Sequence, residues 1–256
     1  MMFDQLLYVL CGLSAGLLGG YLGLGGGIVM VPFLTVIAGV DIKVAVPVSV
    51  TAIVVNSFSA SNEYLKKGMV DLELVIILAV FMVLGNITGS LVSGYVPAQH
   101  TSLLLTVIVL YTAFSLLKTR KVTEKMSFKD NRTKYLLICT LLAYVTGTLA
   151  ALVGIGGGVI LVPILYLIIG LPLTTARGTS SLMIGFSSAA ASTVYFLNGQ
   201  IDTNILPGVV LGIILGGKFG GYLGTMAKPL IVKILFFIIM LYLAYRLSYE
   251  PLMELL

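Results

Sequence analysis

Charged and apolar positions are sharply segregated along this chain. Uncharged stretches cover 5–40, 44–62, 74–117, 135–176 and 178–201, interrupted only by His100. Each is as long as, or longer than, the roughly 18 apolar residues that mark a membrane-spanning helix. They are too long for the strands of a membrane barrel, which need about ten residues. The pattern predicts helices near 5–22, 26–39, 44–65, 72–95 and 99–117. A second set follows near 136–153, 157–170, 175–197, 203–226 and 229–247. The fold class expected is all-α, a polytopic helical membrane protein. No positively charged segment precedes residue 5, so the first stretch reads as a retained helix.

The second set repeats the first. Gly23-Leu24-Gly25-Gly26-Gly27-Ile28-Val29-Met30-Val31-Pro32 returns as Gly154-Ile155-Gly156-Gly157-Gly158-Val159-Ile160-Leu161-Val162-Pro163, an offset of 131 residues. Ser49/Ser180, Ser57/Ser188, Tyr64/Tyr195, Asp71/Asp202 and Gly85/Gly216 keep the same offset. Residues 5–40 as one helix would reach about 54 Å, against a hydrocarbon core of about 30 Å. The segment must break or turn back, and its clustered glycines, each costing up to about 1 kcal/mol in a helix, sit at its middle. Pro32 and Pro163 follow shortly after and weaken the early pairing of a second short helix. Each half therefore opens with a Gly-broken helix.

The expected organisation is a first transmembrane repeat over 1–117, a basic linker over 118–134 and a second repeat over 135–256. The linker holds Lys118, Arg120, Lys121, Lys125, Lys129, Arg132 and Lys134, which the positive-inside rule places in the cytoplasm. Matched loops exchange their basic content. Lys66 and Lys67 have the neutral counterparts Leu197 and Asn198, whereas Lys228 and Lys233 lie in a loop whose counterpart, 95–102, has no Lys or Arg. That exchange favours inverted over parallel repeats.

Composition narrows the class further. Apolar residues make up 59% of the 256, charged residues only 10%, and the net charge is +5. Mean hydropathy is +1.11. The chain's partners are then a lipid bilayer and a small solute. The basic run links two apolar halves and lacks interleaved aromatics, so it does not read as a nucleic-acid face. Cys11, Cys139 and the single His100 suggest no metal or disulfide, and no cofactor is expected.

Chemistry concentrates in three places. Breaks at Gly25, Gly26 and Gly27 and at Gly156, Gly157 and Gly158 cannot face lipid. Their unpaired amides, at the start of a half-helix, favour an anion, although glycines also serve close helix packing. The helix after each break is rich in hydrogen-bonding side chains: Ser49, Asn56 and Ser57 in the first half, Thr179, Ser180 and Ser181 in the second. These can hold an oxyanion or satisfy backbone. Arg177 and Lys218 are intramembrane cations, either part of an anion pathway or snorkelling to an interface. Carboxylates at Asp41, Glu63, Asp71, Glu73 and Asp202 all fall at segment edges. The ladders Gly12/Gly16/Gly20 and Gly212/Gly216/Gly220/Gly224 are packing faces, inside the monomer or at a homodimer interface.

At Gly23–Leu34, Gly154–Leu165 and Ala176-Arg177-Gly178-Thr179-Ser180 the chain resembles the TauE/SafE sulfite exporter family over nearly its whole length. The resemblance implies a bacterial or archaeal cytoplasmic-membrane permease for sulfite or small organosulfonates. Its first half departs from the pattern, with Ala45-Val46-Pro47-Val48-Ser49 where the second has Ala176-Arg177-Gly178-Thr179-Ser180, so the second half carries more weight for the substrate site. The expected function is secondary export of such an anion by alternating access at a midplane site between the repeats. Its rivals are an importer or channel for another small solute, and a membrane enzyme or non-transporting subunit. No catalytic residue is expected.

Overall fold

The computed structural model describes residues 2–117, 132–226, 237, 238 and 240–247. Every element among them is helical. In order these are α1 (Met2–Leu22), α2 (Gly27–Pro32), α3 (Ile42–Lys66), α4 (Leu72–Ser93), α5 (Ala98–Leu117), α6 (Arg132–Val153), α7 (Gly158–Pro163), α8 (Leu173–Leu197) and α9 (Leu206–Thr225). Helix α6 begins at Arg132, so the end of the expected linker is already helical; residues 118–131 lie outside the described ones. Among the described residues six helices, α1, α3, α4, α6, α8 and α9, are long and apolar enough to cross a membrane.

Proline explains the odd shape of the short helices. Pro32 has no N–H to offer the carbonyl four residues back. From Phe33 to Ile37 the chain continues as a wider π-helical turn, and Pro163 is followed in the same way by Ile164–Ile168. Three of the acidic residues at segment edges, Asp41, Asp71 and Asp202, accept from backbone amides at helix starts. Asp41 caps α3 by accepting from the Lys43 amide, and Asp71 caps α4 by accepting from the Leu74 amide. Asp202 accepts from the amides of Asn204 and Ile205. A side-chain oxygen there satisfies an amide that the helix leaves free.

Packing sorts the six long helices into two bundles of opposite sense. Gly12 of α1 faces Val209 of α9 and Gly20 faces Gly217, so these helices run parallel. Asn56 of α3 meets Gly217 and Tyr64 meets Gly224, so α3 joins them. In the other bundle, Gly85 and Gly89 of α4 lie against Tyr144 and Thr148 of α6, again in parallel. The bundles meet where α3 and α8 cross antiparallel. There Thr51 and Ser192 are joined at 2.9 Å, and Ser181 Oγ donates to the Ser57 carbonyl at 3.2 Å. Only five residues connect α3 to α4, too few to recross a bilayer even when extended. Chain direction is then set: α1, α3 and α9 run one way, α4, α6 and α8 the other. The helices matched by the 131-residue offset, α1 with α6, α3 with α8 and α4 with α9, point in opposite directions.

The glycine ladders do their packing inside the monomer. A Cβ on Gly212, Gly216 or Gly220 would overlap the carbonyl of Val9, Leu13 or Leu17 respectively. Backbones that approach this closely gain dispersion contacts, the main source of helix association in lipid.

Candidate functional site

Each glycine segment is a tight re-entrant turn between a long helix and a short one. Gly23, Gly25 and Gly26 have φ of 68°, 81° and 94°, and Gly154, Gly156 and Gly157 have 75°, 77° and 79°. Only glycine adopts this left-handed run without strain. The two turns touch. A Cβ on Gly27 would overlap the Gly154 carbonyl, and one on Gly158 would lie 2.8 Å from the Gly23 carbonyl. The breaks of the two halves thus meet back to back at the junction of the bundles.

The contacts around them are reciprocal. Ser49 Oγ of α3 donates to the Gly154 carbonyl at 2.8 Å, and Ser180 Oγ of α8 donates to the Gly23 carbonyl at 3.2 Å. Each half therefore supports the other's turn. Tyr64 donates to the carbonyls of Gly20 and Tyr21, and Tyr195 donates to the Ala151 carbonyl at 2.8 Å. Ile53 and Ile184, also 131 apart, both pack over Gly25 and Gly156. Asn56 adds a bond from Nδ2 to the Gly25 carbonyl at 2.7 Å.

Several polar groups here stay unsatisfied. Among the described residues, no bond is donated by the amides of Gly25, Gly26, Gly27 and Ile28, nor by those of Gly156, Gly157, Gly158 and Val159. Asn56 Oδ1, Ser57 Oγ, Ser188 Oγ and Thr146 Oγ1 are buried without a partner. Ser57 and Ser188 are matched positions near the α3–α8 crossing, at 0% and 1% exposure. An unpaired buried polar group costs about 1–3 kcal/mol, so a cluster of them marks a place built for a further partner.

Charge points the same way. Arg177 is only 5% exposed, with its backbone against Gly23 and its guanidinium 5.4 Å from the centroid of the Tyr21 ring. No carboxylate lies within 4 Å of it among the described residues. A buried cation without a counter-ion is costly, and a bound anion removes that cost. Thr179 accepts from the Asp71 amide at 2.9 Å and Ser181 ties α8 to α3, so both are structural here. Lys218 is not brought to the turns. It lies on the exposed outer face of α9 beside Phe219, while Gly217 faces Asn56. In this conformation Ile53 and Ile184 close the turns off. Two cavities lined by described residues, of about 560 and 220 Å³, open at the end of the bundle bearing Lys43. Sequence reasoning did not single out Ile53, Ile184 and Tyr21, which the fold places beside the turns and Arg177. The 131-residue offset singles out the first two.

Comparison with known proteins decides the family. The profile described as sulfite exporter TauE/SafE matches residues 8–247. The chain belongs to the TauE/SafE family. Relatives include a probable membrane transporter protein, YunE, of Bacillus subtilis, 28% identical over 76% of this chain and 79% of its own length. One from Methanocaldococcus jannaschii is 27% identical over 62% of this chain and 60% of its own length. TauE/SafE family protein 5 of Arabidopsis thaliana is 34% identical over 43% of this chain and 24% of its own length. No solved structure matches. The protein is a multi-pass membrane transporter of the TauE/SafE type, and the paired turns and Arg177 are its candidate site.

Proposed function

We propose that this protein is a secondary transporter exporting a small sulfur-containing anion, such as sulfite or an organosulfonate, by alternating access between two inverted halves. The observation that carries this reading is Arg177, a buried cation with no carboxylate within 4 Å among the described residues, beside a turn whose amides donate no bond among them. The family's description as sulfite exporter supports the substrate class. The opposed directions of matched helices support inverted halves.

In this reading the anion sits at the paired turns, held by free amides and by the hydroxyls of Ser57 and Ser188, under the positive potential of Arg177. Ile53 and Ile184 part as one bundle rocks against the other. Lys66, Lys67, the start of α6 and the end of α9 all lie at one end of the molecule, and Lys67 Nζ donates to Thr225 Oγ1 at 2.7 Å. The positive-inside rule assigns that end, with the basic linker 118–134, to the cytoplasm of a bacterial or archaeal cell. An inside-negative potential drives an anion outward with about 2.3 kcal/mol per charge per 100 mV.

The test is flux in proteoliposomes. Sulfite or sulfoacetate efflux that rises with the imposed potential is expected. No flux of either, with the protein shown folded by circular dichroism, overturns the substrate assignment.

A further inference from the structure

The cavity of about 220 Å³ occupies a telling position. It is lined by Lys43, Val46, Ser93, Thr101, Tyr195 and Gln200. Shifted by the 131-residue offset, these surroundings are those of Arg177 at the opposite end of the molecule. Arg177 lies against Gly23 with Tyr21 and Tyr64 beside it, and Gly224 meets Tyr64. Val46 lies against Gly154, and the counterparts of Tyr21, Tyr64 and Gly224 are Leu152, Tyr195 and Ser93, all on the cavity wall. Where one half places a guanidinium, the other places a valine and leaves open space.

That space is not apolar. Lys43 stands one turn before Val46 on the same face of α3 and supplies the charge that valine lacks. Its ammonium donates to the carbonyls of Ser93, at 2.8 Å, and Val96. An ammonium carries three donors, so one remains free among the described residues. Gln200 also lines the cavity, and among the described residues its side-chain Nε2 makes no hydrogen bond and is free to donate to an anion, while the buried Oε1, an acceptor, takes no part in holding one. Asp41, the nearest carboxylate along the chain, lines the neighbouring larger cavity and not this one. At about 220 Å³ the space lies below the roughly 300–1,000 Å³ of drug-sized ligand sites, which suits a small anion.

We propose that this cavity is a second anion station, built on Lys43 and Gln200, taking a small oxyanion at the opposite membrane face from Arg177. The two cations then serve the two faces in turn: Lys43 receives the anion as the Arg177 side closes. The inference deepens the anion-transport reading and rests on it for the identity of the anion.

The test is thiol labelling of Thr101→Cys, which lines the cavity, with the parent chain as the blank because Cys11 and Cys139 do not line it. Membrane-impermeant thiosulfonate reagents of equal size and opposite charge are compared in proteoliposomes. The anionic reagent is expected to react faster by about fivefold or more, and Lys43→Gln to abolish that preference. Sulfoacetate, which unlike sulfite does not attack a thiosulfonate, should slow the reaction in the presence of Lys43 and fail to do so in Lys43→Gln. Equal rates for both reagents, or no labelling at all, overturn the station. Protection by phosphate but not by sulfoacetate upholds it and overturns the sulfur-anion assignment instead. Protection by no anion overturns it. Gln200→Leu, a neutral change of similar size, should weaken protection while leaving the charge preference in place.

Discussion

Ser49 and Ser180 hold each other's halves. Ser49 Oγ bonds the Gly154 carbonyl at 2.8 Å, and Ser180 Oγ bonds the Gly23 carbonyl at 3.2 Å. The two bonds join segments separated by more than a hundred residues and fasten one bundle to the turn of the other. Any rocking of the bundles must strain or exchange them.

Ser49→Ala and Ser180→Ala should each destabilise the protein by about 1–3 kcal/mol, since each leaves a buried carbonyl unpaired. Melting in detergent should fall by about 2–4 °C per kcal/mol. Because the two turns touch, the double variant should depart from additivity. Strict additivity would mean that the turns do not act as a unit.

Arg177→Gln should weaken sulfite binding by about tenfold or more, as expected for removing a charge from a buried site. Arg120→Gln in the linker and Lys218→Gln on the outer face of α9 should each change it by less than about twofold. Substrate-induced thermal shift reads all three. A loss at Lys218 matching that at Arg177 would show that the outer face of α9 carries substrate.

Gly27→Ala and Gly158→Ala should abolish the folded state or its activity, because their new Cβ atoms collide with backbone of the facing turn. Gly39→Ala is the control. Its φ is 67° but nothing lies within 4 Å of the added carbon, so the cost is the left-handed strain alone, about 1–2 kcal/mol. Expression yield and melting temperature separate these cases; equal behaviour would deny the contact between turns.

Ile53→Ala combined with Ile184→Ala removes the apolar cover over Gly25 and Gly156. Anion leak through the reconstituted protein should rise, at a stability cost of about 2–5 kcal/mol per site. Unchanged leak in a folded double variant would show that these isoleucines do not close the path.

Much of this architecture is legible in the chain. An interruption at the glycines was readable because a helix over 5–40 would overshoot the bilayer, and glycine there gives up little to leave the helix; that the chain turns back there came from the fold. The site was only partly readable. Lys218 stands one residue after Gly217, which faces Asn56, and a step of about 100° around the helix turns the lysine outward. Hydropathy cannot register so small a rotation within an apolar stretch. Lys43 went unremarked for a related reason: at the edge of a segment it reads as an interfacial anchor. Its value depends on Val46 and Gln200, which only the fold sets around one cavity.

Hydropathy, spacing and glycine placement act locally, so the sequence by itself determined the membrane helices, the 131-residue repeat in the sequence and the two glycine interruptions. Tertiary structure alone decided that the turns meet, that Ser49 and Ser180 exchange partners, and that one end of the molecule keeps an arginine where the other keeps a cavity. These depend on which helix faces pack across more than a hundred residues of intervening chain. In lipid that choice is made by close backbone approach and buried hydrogen bonds, not by hydrophobicity.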